Sequence, residues 1–174
     1  MSYVRVRAFA VIGVLSALCL ALVVAAIARD TQGGATASCP REWPVADLSM
    51  REPKDTRINV LNATDVPGLA DRVADDFRNR TFQVLGEMTE EKKIDGVALL
   101  RYGPKGTSSM HLLRAYFLNE AEYEYDAKRT EDTVDVVLGS RFNQLATDTD
   151  MRLSLGQLGR PTAPPQTCPS PVDK

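Results

Sequence analysis

The chain is poor in the residue types that most often carry chemistry: among its 174 residues there is one histidine, His111, and three cysteines, Cys19, Cys39 and Cys168. A lone histidine cannot assemble a metal cluster, and its place after Met110 at the start of a predicted helix reads as a surface or partly buried side chain. There is no G-x-S-x-G elbow and no H-E-x-x-H helix, and Gly103, Lys105, Gly106, Thr107 and Ser108 only echo a P-loop. The carboxylate pairs Asp75 with Asp76 and Glu90 with Glu91 lie in solvated charge runs, not facing each other across a cleft as glycoside hydrolysis requires. These absences argue against an enzyme, and they imply no cofactor and no metal. An excess of basic residues is missing too. Of 21 basic residues, Arg5 and Arg7 precede residue 29, which leaves 19 against 23 acidic ones beyond it, a net of −4. Bulk charge of that sign gives no attraction to nucleic acid.

What the chain does have is a long apolar run. Ala8 to Ala28 spans twenty-one positions without a charged side chain. That is enough helix to cross a bilayer core of ~30 Å. Arg5 and Arg7 precede the run and the cancelling pair Arg29 and Asp30 follows it. The positive-inside bias therefore puts the amino terminus in the cytoplasm and everything from about Asp30 outside a cell membrane crossed once. A cleaved signal peptide is the other reading, since Ala26 and Ala28 form an A-x-A-like pair. The run exceeds the 7–15 residues usual for a signal h-region, which favours an anchor. Cys19 follows Leu18 where a lipoprotein needs a small residue. Either way the remainder is exported, and Cys39 and Cys168 become exposed thiols in an oxidising compartment. Joined to each other they would close a loop of more than ~100 residues, worth close to 5 kcal/mol on the chain-entropy model. Intermolecular bridges are the alternative.

Composition divides the chain into residues 1–28 (cytoplasmic end and membrane helix), 29–56 (stalk), 57–146 (folded domain) and 147–174 (Pro-rich tail). The spacer DTQGGATAS, residues 30–38, has no core-forming content. The tail holds Pro161, Pro164, Pro165, Pro169 and Pro171, half of all the prolines, and is expected to be disordered unless Cys168 pins it. Between these ends the hydrophobic period switches repeatedly. RINVL, residues 57–61, reads as a strand. A helix follows Pro67, with Thr64 or Asp65 as its cap and Leu69, Val73 and Phe77 as its core stripe. Thr81 to Leu85 is a second strand, and EMTEEKKIDG connects it to a third, Gly96 to Tyr102. Met110, Leu113 and Phe117 mark a second helix. In Ala121 to Tyr125 tyrosine alternates with glutamate, as in an edge strand with its aromatic face on the protein and its acidic face in water. Thr133 to Leu138 is a fifth strand, and Phe142 and Leu145 mark a short amphipathic turn after it. The predicted fold class is therefore α/β: a small sheet of about five strands with two main helices in the order βαβ-βαβ-β, preceded by one transmembrane helix.

VLNAT at Val60 to Thr64, GLA at Gly68 to Ala70 and VVLGSRF at Val136 to Phe142 resemble the opening and closing motifs of the LytR C-terminal domain family, LytR_C. The resemblance covers about Arg57 to Ala146. It implies an extracytoplasmic, membrane-anchored α/β module that helps maintain the cell envelope. In longer relatives such a domain follows a LytR-CpsA-Psr catalytic domain, which is absent here, so no ligase activity carries over and the family has no catalytic residues to transfer. The family often has glycine after the motif asparagine; Ala63 stands there in this chain, which weakens the case for a positive φ. The Asn62-Ala63-Thr64 sequon is accidental in a bacterial envelope protein.

One candidate site follows. If the first and third strands run parallel, the turns after them emerge at one sheet edge and lead into helix amino termini, which suit phosphate or carboxylate. Asn62, Thr64, Lys105 and Ser108 would line that edge and hold a fragment of wall glycan. Against this, turn closure and helix capping are ordinary uses of Asn62 and Thr64. The expected partners are wall glycan or, for an adaptor using the strand Glu122 to Asp126, other envelope proteins. The two differ in response: glycan capture weakens with salt and with loss of Lys105, a strand-edge contact with changes at Tyr123 or Tyr125.

Overall fold

The computed structural model describes residues 3–28 and 39–170. It comprises two units, Met1–Ser38 and Cys39–Lys174. In the first, α1 (Tyr3–Ala28) is helical over 26 residues, about 39 Å at 1.5 Å per residue. Ile12, Leu15, Leu18, Leu22 and Val23 are all exposed on it, so over residues 12–25, where its side chains are described, it is apolar all round. Among the described residues no helix is long and apolar enough to cross a membrane. The spanning reading therefore rests on the charge-free run of the sequence.

The second unit is built on alternation. In β2 (Arg57–Asn62) the side chains of Ile58 and Val60 are fully buried while Arg57 faces water. β3 (Gln83–Thr89), β4 (Ala98–Tyr102), β5 (Glu122–Tyr125) and β6 (Val134–Leu138) join it in a five-stranded sheet of order β3-β2-β6-β4-β5. Helix α2 (Leu69–Asn79) connects β2 to β3, and α3 (Thr107–Tyr116) connects β4 to β5. Each βαβ unit pairs its strands in parallel, as expected. β6 lies between the units, parallel to β2 and antiparallel to β4. A half-turn about the sheet normal thus relates the two units. Such a rotation keeps the faces, so two crossovers of the same hand lay both helices on one face. Val73 and Phe77 of α2 and Leu113 and Tyr116 of α3 share a core with Ile58, Val60, Leu100, Val136 and Leu138. Phe77 is its hub, edge-on to Phe82 at 5.0 Å and to Tyr116 at 6.3 Å. The opposite face is mixed: Leu61, Val137 and Leu99 lie side by side across its middle with Val137 fully buried, while Asn59 and Arg129 both donate to Asp135 at 2.8 and 2.7 Å, and Arg101 pairs with Glu90 at 2.5 Å.

Several boundaries differ from the sequence reading. Thr64 and Asp65 do not cap α2; its N-cap is Gly68 at φ 65°, with no side-chain cap, because the turn hydroxyl is spent elsewhere. β3 runs on to Thr89, through the first part of the expected charged connection. Where a Pro-rich tail was expected from residue 147, α4 (Asp148–Leu158) forms, capped by Thr147, whose Oγ1 accepts from the Asp150 amide at 3.3 Å. Met151 and Leu155 of α4 pack against the core. The stretch around Phe142 and Leu145 is irregular, yet Phe142 meets Phe117 at 6.0 Å and Leu145 is buried. The ends of the unit are tied together. Cys39 and Cys168 form a disulfide with Cα atoms 5.8 Å apart, and β1 (Val45–Ala46) pairs in parallel with β7 (Cys168–Pro169).

Candidate functional site

Because β6 separates β2 from β4 and reverses direction between them, the first and third strands run antiparallel. The expected single edge is therefore two opposite edges, with Asn62 and Thr64 at one and Lys105 and Ser108 at the other.

At the first edge the Asn-Ala-Thr turn consumes its own polar atoms. Asn62 Oδ1 accepts from the amide and the hydroxyl of Thr64 at 2.9 and 2.8 Å, Asn62 Nδ2 donates to the Val66 carbonyl at 2.7 Å, and Thr64 Oγ1 accepts from the Val66 amide at 3.1 Å. Both residues are buried. Lys93 closes the turn from outside, donating to the Thr64 carbonyl at 2.6 Å and pairing with Asp65 at 2.8 Å. Ala63 is buried without a positive φ, and its amide donates to the Leu138 carbonyl at 3.0 Å. The motif is thus an Asx- and ST-turn that ends β2. Its side-chain oxygens are all engaged within the turn.

At the second edge a single turn of 3₁₀ helix, Pro104–Gly106, leads into α3. Ser108 is buried and donates to the Asp47 carbonyl at 2.6 Å, while the Asp47 amide donates to the Pro104 carbonyl at 3.1 Å. Ser108 therefore anchors the segment after β1 and is closed to solvent. Lys105 opens on a cleft of about 660 Å³ lined also by Asp47, Arg51, Arg57, Leu85 and residues 130–133. Arg51 is paired with Asp47 at 2.6 Å and Arg57 with Asp132 at 3.3 Å. Burial raises the Asp47 carboxyl, but hydrogen bonds from Arg51 and Ser49 outweigh it and hold the group below the usual range. Among the described residues Lys105 has no carboxylate partner. Of the four candidate residues Lys105 faces this cleft, Asn62 lines a smaller one of about 180 Å³ beside Gly68, Asp71 and Glu87, and Thr64 and Ser108 are buried. Arg51 and Arg57 were missed because their charges converge only through the sheet order.

On β5 the register sets Tyr123 and Tyr125 beside Leu100 and Tyr102 on the helix face, and Glu122 and Glu124 on the other. The sheet ends here, which leaves Tyr123 53% exposed. His111 is buried under the carboxy-terminal segment, its Nε2 3.0 Å from the Gly159 carbonyl. That contact assigns the Nε2–H tautomer. Burial lowers its pKa below the ordinary 6.5, against the opposing Gly159 hydrogen bond. The unfolded chain then binds more protons than the folded one as pH falls below 6.5. Stability is full above that value and declines as pH falls toward the folded pKa. Replacing His111 by Gln should flatten the stability slope between pH 6.5 and 5; urea midpoints at five pH values would show it, and a slope unchanged from wild type would refute the assignment.

No group of three or more His, Cys, Asp or Glu residues suited to a metal occurs among the described residues. The family described as LytR cell envelope-related transcriptional attenuator (LytR_C) matches residues 55–142. No curated protein matches the chain. Among solved structures, the soluble domain of a conserved hypothetical secreted protein from Mycobacterium marinum is similar, with a TM-score of 0.53 and 25% identity over 67% of this chain and 76% of that one.

Proposed function

This chain belongs to the LytR_C family, and on that premise we propose that it is a non-enzymatic, membrane-anchored, extracytoplasmic domain that supports cell envelope integrity by contacting wall glycan. The apolar run Ala8 to Ala28 supplies the tether and the second unit the contact. The secreted origin of the similar Mycobacterium marinum domain supports the outward orientation. The observation that carries the reading is the Lys105 cleft. It offers the Lys105 ammonium, which has no carboxylate partner among the described residues, two arginines already neutralised, the acidic Glu131, and hydroxyl-bearing Thr130 and Thr133 on its wall. A glycan with sparse phosphodiester or carboxylate groups presents that mixture of hydroxyls and single charges. On a surface of net negative charge such capture must be local, and salt screens it.

The test is co-sedimentation of the protein with purified cell wall at 50 and 500 mM salt, with Lys105→Ala alongside. Binding at low salt should fall several-fold at high salt and by a similar factor in the variant. Wall binding indifferent to both would remove the cleft from the reading. No binding at either salt would leave the exposed β5 edge at Tyr123 as the contact, with other envelope proteins as partners.

A further inference from the structure

A second, smaller pocket of about 160 Å³ lies among α3, the β4–β5 edge and the segment Pro161–Pro165. Tyr102, Met110, Tyr123 and the prolines make its apolar walls, and Thr107, His111 and Arg114 bring polar groups to it. Two of these are committed: Thr107 Oγ1 donates to the Pro104 carbonyl at 2.8 Å and His111 Nε2 to that of Gly159 at 3.0 Å. Arg114 is not. Its guanidinium carbon sits 4.8 Å over the Tyr123 ring and Nη2 donates to Asn119 Oδ1 at 2.6 Å, but Nε is buried with no partner. No ion pair joins Arg114 to a carboxylate among the described residues. Tyr102 is only 3% exposed, and no hydrogen bond reaches its hydroxyl among the described residues. Against its ring, at 5.5 Å, lies Tyr125, which does not itself line the pocket; of the buried groups left without a partner, the one on a pocket residue is Arg114 Nε. Folded proteins seldom leave such groups unpaired.

The chemistry of this set limits what can complete it. Burial pushes the Tyr102 pKa up to about 12, and the nearby Arg114 charge only partly opposes that. The phenol therefore stays protonated and can donate. The unpaired Arg114 Nε–H is a donor only, and it carries a formal positive charge with no counter-ion. An acceptor with one negative charge matches. The guanidinium fork suits a carboxylate or a phosphate, but apolar proline walls disfavour burying a dianion, which selects the monoanionic carboxylate. The volume is about that of a single acylated amino acid, whether free or at the end of a peptide that extends through the pocket mouth. We propose that this pocket binds a small monocarboxylate, held by Arg114 and the Tyr102 hydroxyl, with its apolar body against Tyr123 and the proline wall. The proposal does not rest on the Lys105 cleft.

Calorimetric titration of the full chain in detergent tests it, with N-acetylalanine, its uncharged amide N-acetylalaninamide, the longer acid N-acetyl-trialanine, and inorganic phosphate as probes. N-acetylalanine should bind at least tenfold more tightly than the amide or phosphate. Arg114→Gln should weaken the acid at least tenfold, and Lys105→Ala should leave it unchanged. Tyr102→Phe removes only a hydroxyl that has no protein partner, so it should keep the fold while weakening the acid several-fold. Equal binding of trialanine would identify a peptide terminus as the source, and tighter binding of the single residue a free acid. The proposal is overturned if acid and amide titrate alike, if phosphate binds as tightly as the acid, if neither acid binds, or if the Tyr102 variant binds the acid as wild type does.

Discussion

Gly139→Ala should destabilise the second unit, Cys39–Lys174, by about 3 kcal/mol or more, a fall in melting temperature of roughly 10 °C or more. The reason is space, since Gly139 is not among the residues with positive φ. A Cβ there would sit 2.1 Å from the Gly96 carbonyl oxygen and 3.0 Å from that of Ile94. Both obstacles are backbone, and that backbone is knitted to the same turn. The Gly139 amide donates to Val97, Ser140 to Ile94 and Arg141 to Gly96 at 3.0, 2.8 and 3.2 Å. Relieving the clash means breaking these bonds at the end of β6, the central strand. The glycine of the VVLGSRF motif is therefore a packing requirement between the β3–β4 connection and the turn after β6. Gly156 in α4 is the control: a Cβ there meets nothing within 4 Å, so Gly156→Ala should be neutral or stabilise by about 0.5–1 kcal/mol. Thermal melts of both variants decide the matter, and a Gly139→Ala melt within a degree of wild type would refute the packing account.

Loss of the disulfide should cost a comparable amount. Cys39 and Cys168 are 129 residues apart in sequence, so the bond restricts nearly the whole unfolded second unit, and its removal should cost about 2–5 kcal/mol. Little else holds the two ends. β1 and β7 pair over two residues each. The Leu48 amide donates to Ser170 Oγ at 3.1 Å, and the Asp47 segment is held by Pro104 and Ser108. The Cys39→Ser, Cys168→Ser double variant should unfold at lower urea. Hydrogen exchange should rise first in residues 39–48 and 159–170, with β2, β4 and β6 protected until global unfolding. Uniformly faster exchange through the central strands would mean that the bond supports the sheet itself and not only its ends.

The periodicity of the chain located all five strands of the main sheet and both crossover helices, because each signal is local: alternation in RINVL, a three-and-four spacing through Leu69, Val73 and Phe77. α4 escaped because its apolar residues, Met151, Leu153, Leu155 and Leu158, make only a weak stripe, and the prolines beyond it set the expectation for the whole tail. Its capping pair Thr147 and Asp150 was a readable signal. The near-continuous apolar run Val134 to Leu138 also carried information, since a strand buried on both sides reads that way. Such a run points to an interior strand without saying which neighbours it has or in which direction they run.

That distinction decided the candidate site. The charge-free apolar run, the cysteines available for pairing, the α/β class and the motif turns at Asn62 and Gly139 were determined by the sequence alone, since each follows from residue type, run length or short-range spacing. Tertiary structure decided that β2 and β4 are antiparallel, that Asn62 and Thr64 are spent within their own turn, and that Lys105 shares a cleft with Arg51 and Arg57. It also decided that Arg114 and Tyr102 face one pocket beneath Pro161. Strand order and direction depend on pairings between residues far apart in the chain. Periodicity reports only which face of an element is buried, not what lies against it.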